Sequence, residues 1–270
     1  MKPSRLLLPL SALVLVFIAC RLPDGLRVFN HPVTPIATPT PTPADTTMPA
    51  ATATAVATRT PAPSPLPPVV MASYTLLESS EKDRYDVKLT LPRIEDSRGA
   101  VFNQAVEAWA QTALEQFRIA AAEAAPYAEP SSGSFLGSDF SVYVNSGEIV
   151  SVRLAVSFYS AGAAHPGWSS VTWTADLAGG RMLALADLFA PGSNYLQTLA
   201  GVCMPEIAAR DSAFWPEGAG PAEENYRSWN LTPGGLLITF DPYQVAPYAA
   251  GPQEVTIPYE RLPGWRMLTP

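Results

Sequence analysis

Polar and apolar residues alternate most strictly in Tyr85-Asp86-Val87-Lys88-Leu89-Thr90-Leu91, where every second side chain is apolar until Pro92. A period of two sends successive side chains to opposite faces, so this stretch predicts a half-buried strand. Downstream the period lengthens. Val101, Phe102, Ala105, Trp109, Ala113, Leu114 and Phe117 recur at helical spacing between Ala100 and Ala125, and Pro126 ends the run. That pattern predicts one long amphipathic helix. Alternation returns at Phe140, Val142 and Val144; Asn145-Ser146-Gly147 supplies turn residues and Ile149 to Tyr159 runs back, predicting a hairpin. Trp168 to Leu177 and Arg181 to Ala184 flank Ala178-Gly179-Gly180 and predict a second hairpin.

In the last third, Leu185 to Phe189 reads as a short helical piece, and Pro191-Gly192-Ser193 as a cap for a helix from about Tyr195 to Arg210. Ser228 to Leu231 and Leu236 to Phe240 flank the turn residues Thr232-Pro233-Gly234-Gly235, and Glu254 to Ile257 reads as a last strand. Helices interleave with hairpins without a regular βαβ rhythm. The expected class is therefore α+β: antiparallel sheet or sheets, a long N-terminal amphipathic helix and a second helix in the C-terminal half.

The chain begins differently. Lys2 and Arg5 precede an apolar run from Leu6 to Ala19, broken by Pro9 and Ser11 and closed by Cys20 and Arg21. A membrane-spanning helix needs about 20 apolar residues, so this shorter run predicts an export signal rather than an anchor. Its last residues, Phe17-Ile18-Ala19-Cys20, resemble the lipobox of bacterial lipoproteins, with Phe17 where leucine is usual. That resemblance implies cleavage before Cys20 and a lipid on its thiol, which places the protein at the outer face of the cytoplasmic membrane or in the envelope. Val33 to Pro68 is built almost wholly of Thr, Pro, Ala and Ser. With little to bury and few N–H groups to pair, it is expected to stay extended as a spacer, reaching up to roughly 100 Å. The expected organisation is a signal peptide at 1–19, a lipidated N-terminus at 20–32, a disordered stalk at 33–68 and two α+β subdomains at 69–150 and 151–270.

Net charge of -7 with both signs interspersed argues against a nucleic-acid partner, whose phosphates need a basic face. There are two cysteines. If Cys20 carries lipid, Cys203 has no partner for a disulfide and reads as a small buried apolar residue.

Several segments in order carry a resemblance to a known family: Ile149-Val150-Ser151-Val152, Phe158-Tyr159, Gly162-Ala163-Ala164-His165-Pro166, Thr174 to Arg181, Leu185 to Phe189, Phe240 to Gly251 and Val255 to Tyr259. Together they are similar to the extracytoplasmic domain shared by the lysozyme-sensing anti-sigma factor RsiV and the peptidoglycan deacetylase PdaC. The resemblance covers about Tyr74 to Leu262 and implies a binding or sensing domain whose ligand is an envelope protein such as lysozyme, or a cell-wall glycan. It also implies that catalysis and signalling belong to other modules, which are not expected within this sequence. Ala163 stands where the family usually has the second glycine of Gly-Gly-Ala-His; a left-handed backbone there would cost alanine about 1 kcal/mol.

Read for chemistry, the residues offer no complete catalytic motif and no expected cofactor or metal. The two histidines are His31, at the edge of the stalk, and His165. One histidine cannot build a two-histidine zinc site. His165 is either a ligand-contacting group or a brace for its own loop. Ser79-Ser80-Glu81-Lys82 matches Ser-x-x-Lys but lacks the companion motifs of serine acyl transferases. Asp176, Asp187 and Asp241 are candidate carboxylates for a cell-wall hydrolase or deacetylase-like enzyme, the first alternative reading, and equally suit turns and caps, Asp187 a helix terminus; a structural envelope lipoprotein is the second alternative. Trp168, Trp173, Trp215, Trp229, Tyr243, Tyr248 and Trp265 crowd the C-terminal half and serve either core packing or sugar stacking. Trp168 and Tyr243 each lie close to a proline at a strand end, and with His165 are the candidate ligand contacts.

Overall fold

A computed structural model describes residues 66–129, 132–210 and 213–266. The export signal, Cys20, His31 and the stalk up to residue 65 lie outside the described residues.

Two antiparallel strands open the fold, β1 (Met71–Ser80) and β2 (Tyr85–Ile94). Helix α1 (Ala100–Ala124) then leads to β3 (Ser134–Asn145), which pairs with β2 in parallel. Parallel neighbours need a crossover, and α1 is that crossover. β4 (Ile149–Tyr159), β5 (Gly167–Asp176) and the short β6 (Arg181–Met182) follow antiparallel, completing a six-stranded sheet in sequence order. The sheet is thus mixed rather than wholly antiparallel. The long helix is not N-terminal either; it follows two strands, and the stretch before it in sequence had hidden β1 because Leu76 and Leu77 break any alternation.

One face of the sheet carries α1. Phe102, Val106, Ala110, Leu114, Phe117 and Ala121 come from the helix at spacings of three and four, and they pack on Leu89, Leu91, Val150, Val152, Leu154 and Trp173. Such burial contributes about 25 cal/mol per Å² of apolar surface, which outweighs the weak intrinsic preference of any single helical residue. The helix entry is fastened by Asp96, whose carboxylate accepts from the Arg98 N–H at 2.9 Å. The Arg98 guanidinium in turn donates to the carbonyls of Pro67 and Gly147, each at 3.1 Å.

The other face meets a second layer. Helix α2 (Tyr195–Ala208) packs on a three-stranded antiparallel sheet of β7 (Trp229–Thr232), β8 (Gly235–Phe240) and β9 (Gln253–Ile257). Leu199, Cys203 and Ile207 lie one turn apart on the buried side of α2. Burial pushes the Cys203 thiol up to about 12, so it stays protonated at neutral pH and packs as an apolar group. A bulge in β3 serves this layer. Val142 pairs with Val152 and Val144 with Ser151, leaving Tyr143 unpaired, so Val144 swings from the α1 face into the second core.

β7 is joined to the larger sheet by hydroxyls. The N–H groups of Trp229 and Leu231 donate to Thr172 Oγ1 at 3.3 Å and Ser151 Oγ at 3.1 Å. Ser151 also meets Thr174 Oγ1 at 2.8 Å and Asn230 Nδ2 at 3.0 Å, all of them buried.

On the α1 side, Arg118 and the Tyr85 hydroxyl both bond Glu78, Tyr85 at 2.6 Å. These bonds, Arg118 first, hold the carboxyl down to about 2 from its ordinary 4.5. A depressed carboxyl stabilises the fold above its unfolded value and loses that contribution as pH falls through its folded value. Acidifying from pH 4.5 to about 2 is therefore expected to destabilise the wild type more steeply than Glu78→Gln. The variant should melt a few degrees lower at neutral pH, with the gap closing at pH 2; parallel melting curves across the range would show that the pair contributes nothing.

Candidate functional site

The loop between β4 and β5 carries His165, and the loop after β8 carries Tyr243; the fold brings them together across 78 positions of sequence. His165 Nε2 lies 3.2 Å from the Tyr243 hydroxyl, and Nδ1 lies 2.8 Å from the Pro166 carbonyl. Tyr248 completes the group. Its ring stacks on the His165 imidazole at 4.1 Å with an interplanar angle of 28°, and its hydroxyl donates to the same Pro166 carbonyl at 2.8 Å. The two tyrosine rings are 5.5 Å apart and tilted by 33°. His165 and Tyr243 are exposed and Tyr248 is partly so.

Local chemistry holds each part in place. In Asp241-Pro242-Tyr243-Gln244, the Gln244 N–H donates to the Asp241 carbonyl at 3.0 Å, closing a tight turn. Proline presets the second position, and the third takes φ +69, a left-handed backbone that glycine or asparagine normally fills. Here it is tyrosine. Behind the turn, the Gln244 amide donates to the carbonyls of Gly218 at 3.0 Å and Asn225 at 2.9 Å. Asp241 Oδ1 accepts the Ser170 N–H of β5 at 2.9 Å, tying the turn to the six-stranded sheet. Burial raises the Asp241 carboxyl above its ordinary value, opposed by that hydrogen bond and by Arg227 and Arg153.

The His165 loop is fixed from the other side. Ala161 donates its N–H to the buried Ser134 hydroxyl at 3.0 Å, and Ala163 donates to the Ser160 carbonyl at 2.9 Å. The left-handed residue is Gly162, at φ +83; Ala163 is not among the residues with positive φ. The alanine that departs from the family pattern therefore carries no backbone strain.

Trp168 stands three residues beyond His165, at the start of β5, opposite Ser157 of β4 and half-buried. By the alternation of the strand it shares a face with Ser170, which binds Asp241. It makes no ring contact with His165, Tyr243 or Tyr248 among the described residues. Of the three side chains expected to act together, His165 and Tyr243 touch. Tyr248 was visible only as one of many C-terminal aromatics; nothing in its spacing distinguished it.

The remaining candidates have structural partners. Arg181 lies between Asp176, at 3.6 Å, and Asp187, at 3.2 Å. Asp176 also accepts the Gly179 N–H at 2.7 Å in the hairpin turn, and Asp187 accepts the Ala184 N–H at 2.9 Å, capping a short 3-10 turn at Leu185–Leu188. Ser80 closes the β1–β2 turn with Asp83, accepting its N–H at 3.0 Å. Trp173 is a core residue, edge-on to Phe102 and Trp109, and Trp229 is buried as well. Among the described residues no helix is long and apolar enough to cross a membrane.

Residues 186–260 match the family model described as protein of unknown function (DUF3298). Over 101 residues the chain is 29% identical to the peptidoglycan-N-acetylmuramic acid deacetylase PdaC of Bacillus subtilis (strain 168). That stretch is 36% of this chain, and the chain spans about a fifth, 22%, of that relative's length. Two solved structures share the fold. A DUF3298 family member from Bacteroides fragilis matches with a TM-score of 0.55 and 17% identity over 76% of this chain and 96% of its own. A DUF3298 family protein from Pseudomonas aeruginosa PAO1 matches with a TM-score of 0.50 and 22% identity over 73% of this chain and 94% of its own. The resemblance to the domain family of PdaC, read first from short segments, is thus found again by comparison. The His165 loop lies outside the matched 186–260, while Tyr243 and Tyr248 lie within it.

Proposed function

We propose that this chain is a binding or sensing module of the cell envelope, tethered to the membrane by lipid on Cys20. Its ligand is a lysozyme-like protein or peptidoglycan, received on the surface formed by His165, Tyr243 and Tyr248, with Trp168 at its margin. The observation that carries this reading is Tyr243. A bulky aromatic side chain in a left-handed backbone costs of order 1–3 kcal/mol, and such strain persists where the surrounding structure holds it for a use. Here the side chain so held is 55% exposed, so core packing does not account for it. Three flat rings with polar edges suit stacking against sugar rings or the polar rim of a protein. The open surface fits a polymer or a protein better than a small molecule, which needs enclosure. The PdaC relative is named for work on N-acetylmuramic acid in peptidoglycan, which favours the same class of ligand.

The test is retention of the full chain on immobilised lysozyme and on purified peptidoglycan, for wild type, His165→Ala and Tyr243→Gly. Wild type is expected to be retained on one of them, and each variant to bind at least tenfold more weakly. Because glycine relieves the backbone strain, Tyr243→Gly should melt at or above the wild-type temperature, separating a binding defect from a folding one. Wild type retained on neither, or variants retained as well as wild type, would sink the proposal.

A further inference from the structure

The long strand edges of this fold are treated unequally. Where β5 borders the second layer, Ser170 has its N–H taken by Asp241, at 2.9 Å, and its carbonyl by the Ser228 hydroxyl, at 3.4 Å. The outer N–H groups of β7 go to Thr172 and Ser151, and β9 has its Glu254 carbonyl bound by Arg210 at 2.6 Å. β6, at the far end of the large sheet, is only two residues long. β1 is ten residues long and pairs with β2 alone. No backbone group on its outer edge has a partner among the described residues. It also lacks the usual protections of an open edge, having no lysine, proline or bulge along Met71–Ser80. Leu77, 71% exposed, projects from it.

We infer that β1 is a pairing edge and that its occupant is β1 of a second copy of this chain, joined antiparallel. The charge along β1 does not oppose the self-pairing. The chain carries a net charge of -7, but β1 contributes one charged group, Glu78, which Arg118 already neutralises. Pairing that keeps side-chain faces matched is centred on Thr75 or Leu76. Either centre sets the two Glu78 carboxyls four or six residues apart along the paired strands, about 13–20 Å at the strand rise, beyond the screening length of about 8 Å. Centred on Thr75, the exposed Ser73 of one copy stands opposite Leu77 of the other, and the two Thr75 hydroxyls meet, a favourable cross-strand pair. The contact is isologous, so it closes as a dimer and hides both open edges rather than growing into a fibre.

The full chain should sediment at high micromolar concentration with twice the mass of the 28.8 kDa chain, and the backbone amides of β1 should exchange more slowly as concentration rises. Thr75→Lys with Leu77→Lys, both at exposed positions, should return the mass to one chain, with a thermal midpoint equal to that of wild type at concentrations too dilute for pairing. A single-chain mass for wild type, a doubled mass that the lysines leave intact, or β1 exchange independent of concentration would each overturn the inference. Should the lysine pair unfold the protein, the exchange measurement on wild type decides alone.

Discussion

Gly218→Ala is expected to lower the stability of the chain by about 3 kcal/mol or more, and to abolish ligand retention with it. A Cβ at this position would lie 1.7 Å from the Gln244 carbonyl oxygen and 2.6 Å from its carbon. Both are backbone atoms, so no rotamer change relieves the clash; the backbone at Gly218 or at Gln244 must shift, and the two are hydrogen-bonded to each other. Gln244 belongs to the turn that holds Tyr243, and the Gly218 carbonyl is one of the two acceptors of the Gln244 amide. Either shift therefore disturbs the support of the turn from behind. Gly201→Ala is the matched control. It sits in α2 with nothing within 4 Å of the added carbon, and alanine should stabilise the helix by about 0.8–1.0 kcal/mol. Chemical denaturation of the three proteins checks the ordering, and a Gly218→Ala protein as stable as wild type would mean that the turn does not depend on this contact.

Periodicity reveals an element when its environment is uniform along its length. α1 rests on one sheet face throughout, so its apolar positions keep helical spacing, and its bounds were legible to within a residue. β2 and β4 likewise alternate because one face of each meets α1. β1 is an edge with a thinly covered inner face, and Leu76 and Leu77 side by side erase the alternation. The first half of β3 was hidden by Ser134, Gly137 and Ser138; the two serines are there for partners, Ser134 accepting from the Ala161 N–H and the Ser138 hydroxyl donating to the Thr90 carbonyl at 3.2 Å, while a Cβ at Gly137 would lie 3.0 Å from the Ser157 hydroxyl. The parallel pairing of β2 with β3 leaves no local mark at all, because a crossover helix and a helix between hairpins have the same pattern. The candidate site was half legible for a related reason. His165 and Tyr243 stood out singly, as a lone histidine and a tyrosine after proline, yet their contact depends on how the second layer lies on the first. Asp241 had three readings open to it; only the Ser170 N–H, 71 positions away, decides that it ties the turn to the sheet.

The join between the layers should be the most sensitive polar site in the fold, and Ser151→Ala is expected to cost about 3 kcal/mol or more. The Ser151 hydroxyl serves three buried partners: Thr174 Oγ1, the Asn230 amide and the Leu231 N–H. Removing one oxygen leaves all three without that bond, and each unsatisfied buried group costs about 1–3 kcal/mol. Water has little room to replace it, since Ser151 and Asn230 are fully buried and Thr174 nearly so. Asn230→Leu should be far milder, within about 1 kcal/mol of wild type. The side chain is close to leucine in size, and the Asn230 Oδ1 it removes is already buried without a partner. Ser151 keeps Thr174 and Leu231 in that variant. If Asn230→Leu proves as damaging as Ser151→Ala, the amide rather than the hydroxyl organises the join. Denaturant midpoints for the two variants and the double mutant distinguish these outcomes, and strong non-additivity is expected because both side chains belong to one hydrogen-bonded group. The consequence reaches the candidate site, because this buried hydroxyl and the Asp241 carboxylate hold the second layer to the same sheet face. Loosening the join should thus weaken ligand retention even though Ser151 touches none of His165, Tyr243 and Tyr248.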